Sequence, residues 1–89
     1  MKFTFYKSKL CPRCAQVRKH LKSFLGAAFS DCCVEIDVVK HPVRTWQGGI
    51  RMIPALKFDQ TVLSGVILSK EQIRTFLTDH QFFGDKDDQ

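Results

Sequence analysis

The sequence contains no run of 18 or more apolar residues, the length at which a segment becomes a transmembrane candidate. Its first ten residues, MKFTFYKSKL, have neither the long apolar core nor the small-residue cleavage site of a secretory signal. We therefore predict a cytoplasmic protein with no membrane partner. Repeats, linkers and low-complexity segments are also absent. With 89 residues in total, we expect one domain over residues 1–84 and a disordered acidic tail over residues 85–89.

The first thirty positions contain no acidic residue, and the first acid in the chain is Asp31. The whole chain carries a net charge of +5. Seven basic residues precede that acid: Lys2, Lys7, Lys9, Arg13, Arg18, Lys19 and Lys22. A basic segment of this kind can bind nucleic acid, but no nucleic-acid-binding motif accompanies it. We therefore predict no nucleic-acid partner and a positive field around the nearby cysteines. We also expect the protein to be a monomer.

The four cysteines are not spaced as a disulfide framework, because Cys11 and Cys14 are close together and Cys32 and Cys33 are adjacent. In a reducing compartment, a CxxC motif near a βαβ pattern indicates redox or metal chemistry. A structural zinc site usually needs four ligands in spaced pairs, and the second cysteine pair has no spacer. The three histidines are scattered, at His20, His41 and His80. A metal-binding module holding zinc or an iron–sulfur cluster remains an alternative, as does a redox-idle interaction domain.

Residue patterns predict alternating strands and helices. Aromatic and β-branched content predicts strands over residues 2–6, 32–39, 55–59 and 61–67. Prolines at a first turn, helical apolar spacing and a Ser/Gln capping box predict three helices, beginning at Pro12, Pro42 and Ser69 and ending near Gly26, Trp46 and His80. Ser30 and Asp31 are expected to form a turn. The order is β-α-β-(α)-β-β-α, an α/β architecture with CxxC at the mouth of the first helix.

The position of the CxxC motif, at the start of the first predicted helix, suits thiol chemistry. The N-terminus of a helix favours an anion, and Lys9 and Arg13 add positive charge, so Cys11 is the predicted nucleophile. Cys14 lies one turn further, where we expect it to be more buried and to act as the resolving thiol. Pro12 and Arg13, with Lys9, are predicted to tune the redox pair. Cys32 and Cys33 are expected to pack as small hydrophobic residues, with a second redox pair as the alternative.

The CPRC motif after strand one, Ile53-Pro54 before strand three and Gly65 after strand four resemble the glutaredoxin-like branch of the thioredoxin superfamily. The resemblance covers roughly Lys2 to His80. It implies a thioredoxin/glutaredoxin-like fold with a four-stranded mixed sheet, and thiol–disulfide oxidoreductase activity on a protein or small-molecule disulfide. It also implies a cis Ile53-Pro54 bond and a substrate groove formed by Ile53, Pro54 and Gly65, where an extended substrate segment pairs with the Ile53 backbone.

The sequence also lacks residues that are typical of glutathione-using relatives and of thioredoxin proper. Glutathione-using relatives usually have CPYC, a basic residue where this chain has Ser8, and a Gly-Gly pair with a polar cap where it has Ser64-Gly65-Val66-Ile67. We therefore predict no bound cofactor, with either glutathione or a reductase as electron donor and glutathione as the less supported of the two. Thioredoxin proper would have tryptophan in place of Leu10 and an acid near Phe5. Trp46 is expected to pack on the middle helix.

Overall fold

A computed structural model of the chain describes residues 2–65, 68–80 and 82. Its strands are β1 (Phe3–Lys7), β2 (Cys33–Asp37), β3 (Ala55–Phe58) and β4 (Thr61–Ser64). Its helices are α1 (Pro12–Leu25), α2 (Phe29–Cys32), α3 (Pro42–Gln47) and α4 (Lys70–Asp79), with one 3₁₀ turn over Gly26–Ala28.

The four strands form one mixed sheet in the order β2-β1-β3-β4. Strand β1 pairs in parallel with β2 and antiparallel with β3, and β3 pairs antiparallel with β4. The predicted α/β class and four-stranded mixed sheet are therefore confirmed. Parallel pairing of β1 with β2 requires a crossover connection, which α1 and α2 provide.

The two faces of the sheet bury different clusters. Successive side chains of a strand point to opposite faces, so Phe3 and Phe5 enter one cluster while Tyr6 enters the other. The larger cluster joins the sheet to the apolar sides of α1 and α4, with Leu21 and Ile73 fully buried. The smaller one consists of Tyr6, Ile36, Ile50 and Ala55. Helix α1 is thereby fixed against the central strand that precedes it.

Helix ends follow the local chemistry of the sequence. Helix α1 begins at Pro12 and ends before Gly26, whose φ of 56° lies in the left-handed region that favours glycine. At α4, the Ser69 hydroxyl accepts from the Gln72 N–H and the Gln72 side chain accepts from the Ser69 N–H. The predicted stop at Gly26 and the capping box at Ser69 are both confirmed.

One predicted turn is wrong. Ser30 and Asp31 lie inside the short helix α2, and β2 consequently begins at Cys33 instead of Cys32. Phe29 anchors this helix, because its ring is buried and lies beneath the Arg18 guanidinium at 5.6 Å. Tertiary packing of this kind overrides the turn preference of serine and aspartate.

Strands β2 and β4 are shorter than predicted. Strand β2 ends at Asp37, where a tight turn begins because the Asp37 carbonyl accepts from the N–H groups of Lys40 and His41. Strand β4 ends at Ser64, and Gly65, which was also predicted within it, lies outside the strand. The last two residues of that predicted strand, 66 and 67, and the predicted tail over 85–89 lie outside the described part of the chain.

The expectation that Trp46 packs on the middle helix is also wrong. Its side chain is 69% exposed, and Thr45 occupies the buried side of α3 instead. Thr45 tolerates this position because its hydroxyl donates to the His41 carbonyl at 2.7 Å, so this hydroxyl is not buried without a partner.

Candidate active site

The loop between β1 and α1 fixes the position of Cys11. The Cys11 N–H donates to the Ser8 carbonyl at 3.2 Å, and the Leu10 N–H donates to the Ser8 hydroxyl at 3.3 Å. Cys11 is the N-cap of α1, and its sulfur accepts a hydrogen bond from the Cys14 N–H at 3.1 Å. Both the directed N–H and the positive end of the helix favour negative charge on this half-buried sulfur.

Cys14 lies one turn along α1 and is 2% exposed. Burial raises the pKa of the Cys14 thiol to about 12, with further increases from its hydrogen bond to the Cys11 side chain and from the charge on Cys11. A backbone hydrogen bond to Ser8 and the positive charge of Arg13 act in the opposite direction. The two thiols of the motif therefore differ strongly in access to solvent.

A small cavity opens beside the two sulfurs. Its volume is ≈ 160 Å³, and its lining is Lys7, Ser8, Lys9, Cys11, Cys14, Ala15 and Arg18. Glu35 of β2 holds two of the basic residues, with Arg18 Nε at 2.9 Å and Lys7 Nζ at 3.7 Å from its Oε1 atom. Glu35 therefore offsets one of these two positive charges, and Lys9, which also lines the cavity, is exposed.

Arg18 was predicted only as one of seven basic residues near the cysteines, and its place in this cavity was missed. Arg18 follows Cys14 by four residues, a spacing that puts two side chains on the same face of a helix. That spacing was the available signal. No sequence spacing indicated that Glu35 lies beside α1. Only the parallel register of β1 and β2, which pairs Phe5 with Glu35, brings it there.

The other predicted site residues lie at the same edge of the sheet. The register pairs Tyr6 with Ala55 and Ala55 with Ser64, so Pro54 directly precedes and Gly65 directly follows the last pair of β3 and β4, at the end of the sheet where β1 reaches Lys7. The Ile53-Pro54 peptide bond is cis, as the resemblance implied, and Pro54 is fully buried. Ile53 is half-buried and packs against both core clusters. Cys11 packs against the larger cluster, to which Cys14 belongs.

The second cysteine pair has a different environment. Cys33 is buried beside Phe3 in the sheet register, and burial, followed by the negative charge of Glu35, raises the pKa of its thiol to about 12. Cys32 is half-buried at the end of α2. This packing of Cys33 is that of a small hydrophobic residue.

Two further features bear on what the molecule binds. Among the described residues, no three His, Cys, Asp or Glu side chains converge as a group that could hold a metal ion. A larger cavity, ≈ 470 Å³ in volume, lies between β4 and α4. None of the predicted site residues lines it, so we assign the chemistry to the smaller cavity that contains the thiols.

Within residues 2–65 and 68–80, no helix combines the length and the hydropathy needed to cross a membrane. Comparison with protein-family models and with curated proteins gave no match. Among solved structures, the chain is similar to thioredoxin 1 from the thermophilic eubacterium Thermosipho africanus TCF52B, with a TM-score of 0.68 and 18% identity over 92% of this chain and 97% of that one. A structure described only as a malarial protein matches with a TM-score of 0.61 and 15% identity over 88% and 93% of the two chains. These similarities establish a thioredoxin-like fold.

Proposed function

We propose that this chain is a thiol–disulfide oxidoreductase, a glutaredoxin-like dithiol redoxin that uses Cys11 and Cys14. The observation that carries the proposal is the hydrogen bond from the Cys14 N–H to the Cys11 sulfur at 3.1 Å, at the N-terminus of α1. It gives Cys11 an environment suited to a thiolate, the species that attacks disulfides. It also brings the resolving residue within one turn of its target.

The proposed reaction has two steps. The Cys11 thiolate attacks one sulfur of a substrate disulfide, forms a mixed disulfide with it and expels the other substrate sulfur as a thiolate. Cys14 then loses its proton and attacks the Cys11 sulfur, which forms the Cys11–Cys14 disulfide and releases the second substrate sulfur. Two electrons pass from the protein dithiol to the substrate, and the protons of the two protein thiols go to the two substrate thiolates through solvent.

Neighbouring residues have supporting roles in this proposal. Pro12 starts the helix at its first turn, while Lys9 and Arg13 supply positive charge near the sulfurs. Ile53 and Pro54, with Gly65 in the adjacent register, form the groove in which an extended substrate segment would pair. Since the two thiols carry the electrons, no bound cofactor is required.

A test of the reaction follows the reduction of insulin disulfides by the pre-reduced protein at equal concentrations. We expect Cys11→Ser to abolish the exchange. Cys14→Ser should complete the first step and accumulate a mixed disulfide, detectable by its mass. Cys32→Ser is the matched control, because it removes a half-buried thiol outside the site, and should react as the wild type does. Equal activity of the wild type and Cys11→Ser would refute the proposal.

A second experiment identifies the electron donor. The oxidised protein is incubated either with glutathione and glutathione reductase or with thioredoxin reductase, and NADPH consumption is followed in each case. Because this chain has Ser8 where glutathione-using relatives have a basic residue, we expect the thioredoxin system to be faster. Failure of both systems while the Cys11–Cys14 disulfide persists would refute a role as an electron carrier in the cytoplasm.

A further inference from the structure

Two large exposed apolar side chains directly precede residues of the candidate site in the sequence. Leu10 directly precedes Cys11 and is 91% exposed, and Met52 directly precedes Ile53 and is 44% exposed. Their two loops join the sheet at the same end, where Tyr6 of β1 pairs with Ala55 of β3. A single exposed apolar residue needs no explanation, but two that flank a reactive thiol indicate a contact surface.

Basic residues without ion-pair partners surround these apolar side chains. Lys9, Arg13 and Arg51 are exposed, and none of them forms an ion pair with any residue in the 2–65 and 68–80 segments. The acid nearest in the sheet register, Asp37 opposite Lys7, accepts the Val39 N–H with its carboxylate. The outer side of the site therefore presents positive charge that a bound partner can neutralise.

The size of the cavity bears on whether the substrate is a polypeptide or a small molecule. At ≈ 160 Å³, the space beside the two thiols is smaller than the roughly 300–1,000 Å³ typical of sites that enclose a small molecule. A substrate disulfide can reach Cys11, but the rest of the substrate must lie outside, over Leu10 and Met52. A polypeptide segment satisfies this condition better than a small molecule does.

We propose that five residues form a docking rim that selects acidic polypeptide segments carrying an apolar side chain next to the disulfide cysteine. The docking rim consists of Lys9, Leu10, Arg13, Arg51 and Met52. The acidic groups of the partner neutralise the three basic residues, and its apolar side chain covers Leu10 and Met52. This inference rests on the proposed function, since it names the substrate class of the same site.

The test uses pre-reduced protein and three disulfide-cyclised peptides with the same ring, a leucine next to one cysteine, and aspartate, asparagine or lysine in the flanks. A small neutral disulfide, bis(2-hydroxyethyl) disulfide, reports the reactivity of the thiols alone. At low salt we expect the acidic peptide to react about tenfold faster than the basic one, the lower end of electrostatic steering. Roughly 1 M salt, where the screening length is about 3 Å, should remove most of this ratio.

Matched variants connect the selectivity to the docking rim. Arg51→Gln should lower the acidic-to-basic ratio about twofold, as expected for one exposed charge. Arg74→Gln, the control, removes a charge beside Phe24, which is roughly 20 Å along α1 from Cys11 at 1.5 Å per residue. Met52→Ser should slow all three peptides relative to the small disulfide, whereas Val62→Ser, which removes a 40% exposed apolar side chain from β4, should not.

The outcomes distinguish the two proposals. If the small disulfide is reduced but the acidic and basic peptides react equally fast, the docking rim is refuted and the redox function stands. If selectivity is present but Arg74→Gln lowers it as much as Arg51→Gln does, the effect comes from net charge and the docking rim is again refuted. If no disulfide is reduced at all, both the redox function and the docking rim are refuted.

Discussion

The burial of Cys14 leads to a quantitative prediction for its alkylation. The pKa of this thiol is about 12 instead of an ordinary 9.0, mainly because of burial. Each pKa unit changes the thiolate fraction tenfold, so near neutral pH the folded protein holds about 1,000-fold less Cys14 thiolate than the unfolded chain. Iodoacetamide reacts with the thiolate, and a thiolate of higher pKa is also more nucleophilic, so we expect Cys14 labelling to be roughly 30- to 1,000-fold slower in the folded, reduced protein.

The sequence itself makes this measurement possible. Trypsin cleaves after Lys9, Arg13 and Arg18, which places Cys11 in the peptide LCPR and Cys14 in the separate peptide CAQVR. Mass spectrometry of timed samples then gives one labelling rate for each thiol. The same reaction in guanidinium chloride supplies the unfolded reference, in which both cysteines should be labelled at similar rates.

A variant separates the causes of the slow labelling. Burial is the largest cause, and the hydrogen bond and charge of Cys11 are smaller ones. In Cys11→Ser, the charge is removed while burial remains, so Cys14 should stay strongly protected. Labelling of Cys14 in the folded wild type within tenfold of its unfolded rate would refute this reasoning, since burial would then not control its protonation.

Three further predictions concern stability. Leu56→Ala, at a fully buried position, should lower the free energy of unfolding by about 2–5 kcal/mol in urea titrations, whereas the control Val62→Ala should cost far less. Ser69→Ala removes the N-cap of α4 and should cost about 1 kcal/mol, and an unchanged urea midpoint would contradict this. Raising the pH from about 9 to about 12 should destabilise the reduced protein by up to about 1.4 kcal/mol per pH unit per thiol, because Cys14 and Cys33 keep protons that the unfolded chain has lost. Cys33→Ala should make this decline shallower, and an identical decline would contradict the assignment.

The features that the sequence predicted well depend on short-range chemistry. Proline at a first turn, glycine after a helix and a Ser/Gln capping box each act within a few residues, and the structure has them at Pro12, Gly26 and Ser69. The predicted strands over residues 55–59 and 61–67 are separated by a single residue, and the structure turns there at Asp59, whose φ of 57° lies in the left-handed region that aspartate tolerates better than most residues.

The features that were missed depend on contacts distant in sequence. Helix α2 exists because Phe29 packs against the core and against cationic side chains of α1, which no pattern within its four residues reveals. The ion pair between Arg18 and Glu35 likewise depends on the parallel register of β1 and β2. The position of the thiols could thus be predicted from the sequence, but not the charged groups behind them.

The central position of β1 has a consequence for how the molecule opens. Strand β1 is hydrogen-bonded on both sides, whereas β4 is one of the two edge strands, is bonded only to β3, and is more exposed than β2, the other edge strand. Local unfolding begins where few bonds hold the backbone, so amide exchange should be fastest in β4 and slowest in β1. A molecule that has lost only β4 would displace Gly65 while retaining β1 and the start of α1 with its two thiols. Reactivity and substrate recognition would then be lost at different degrees of unfolding.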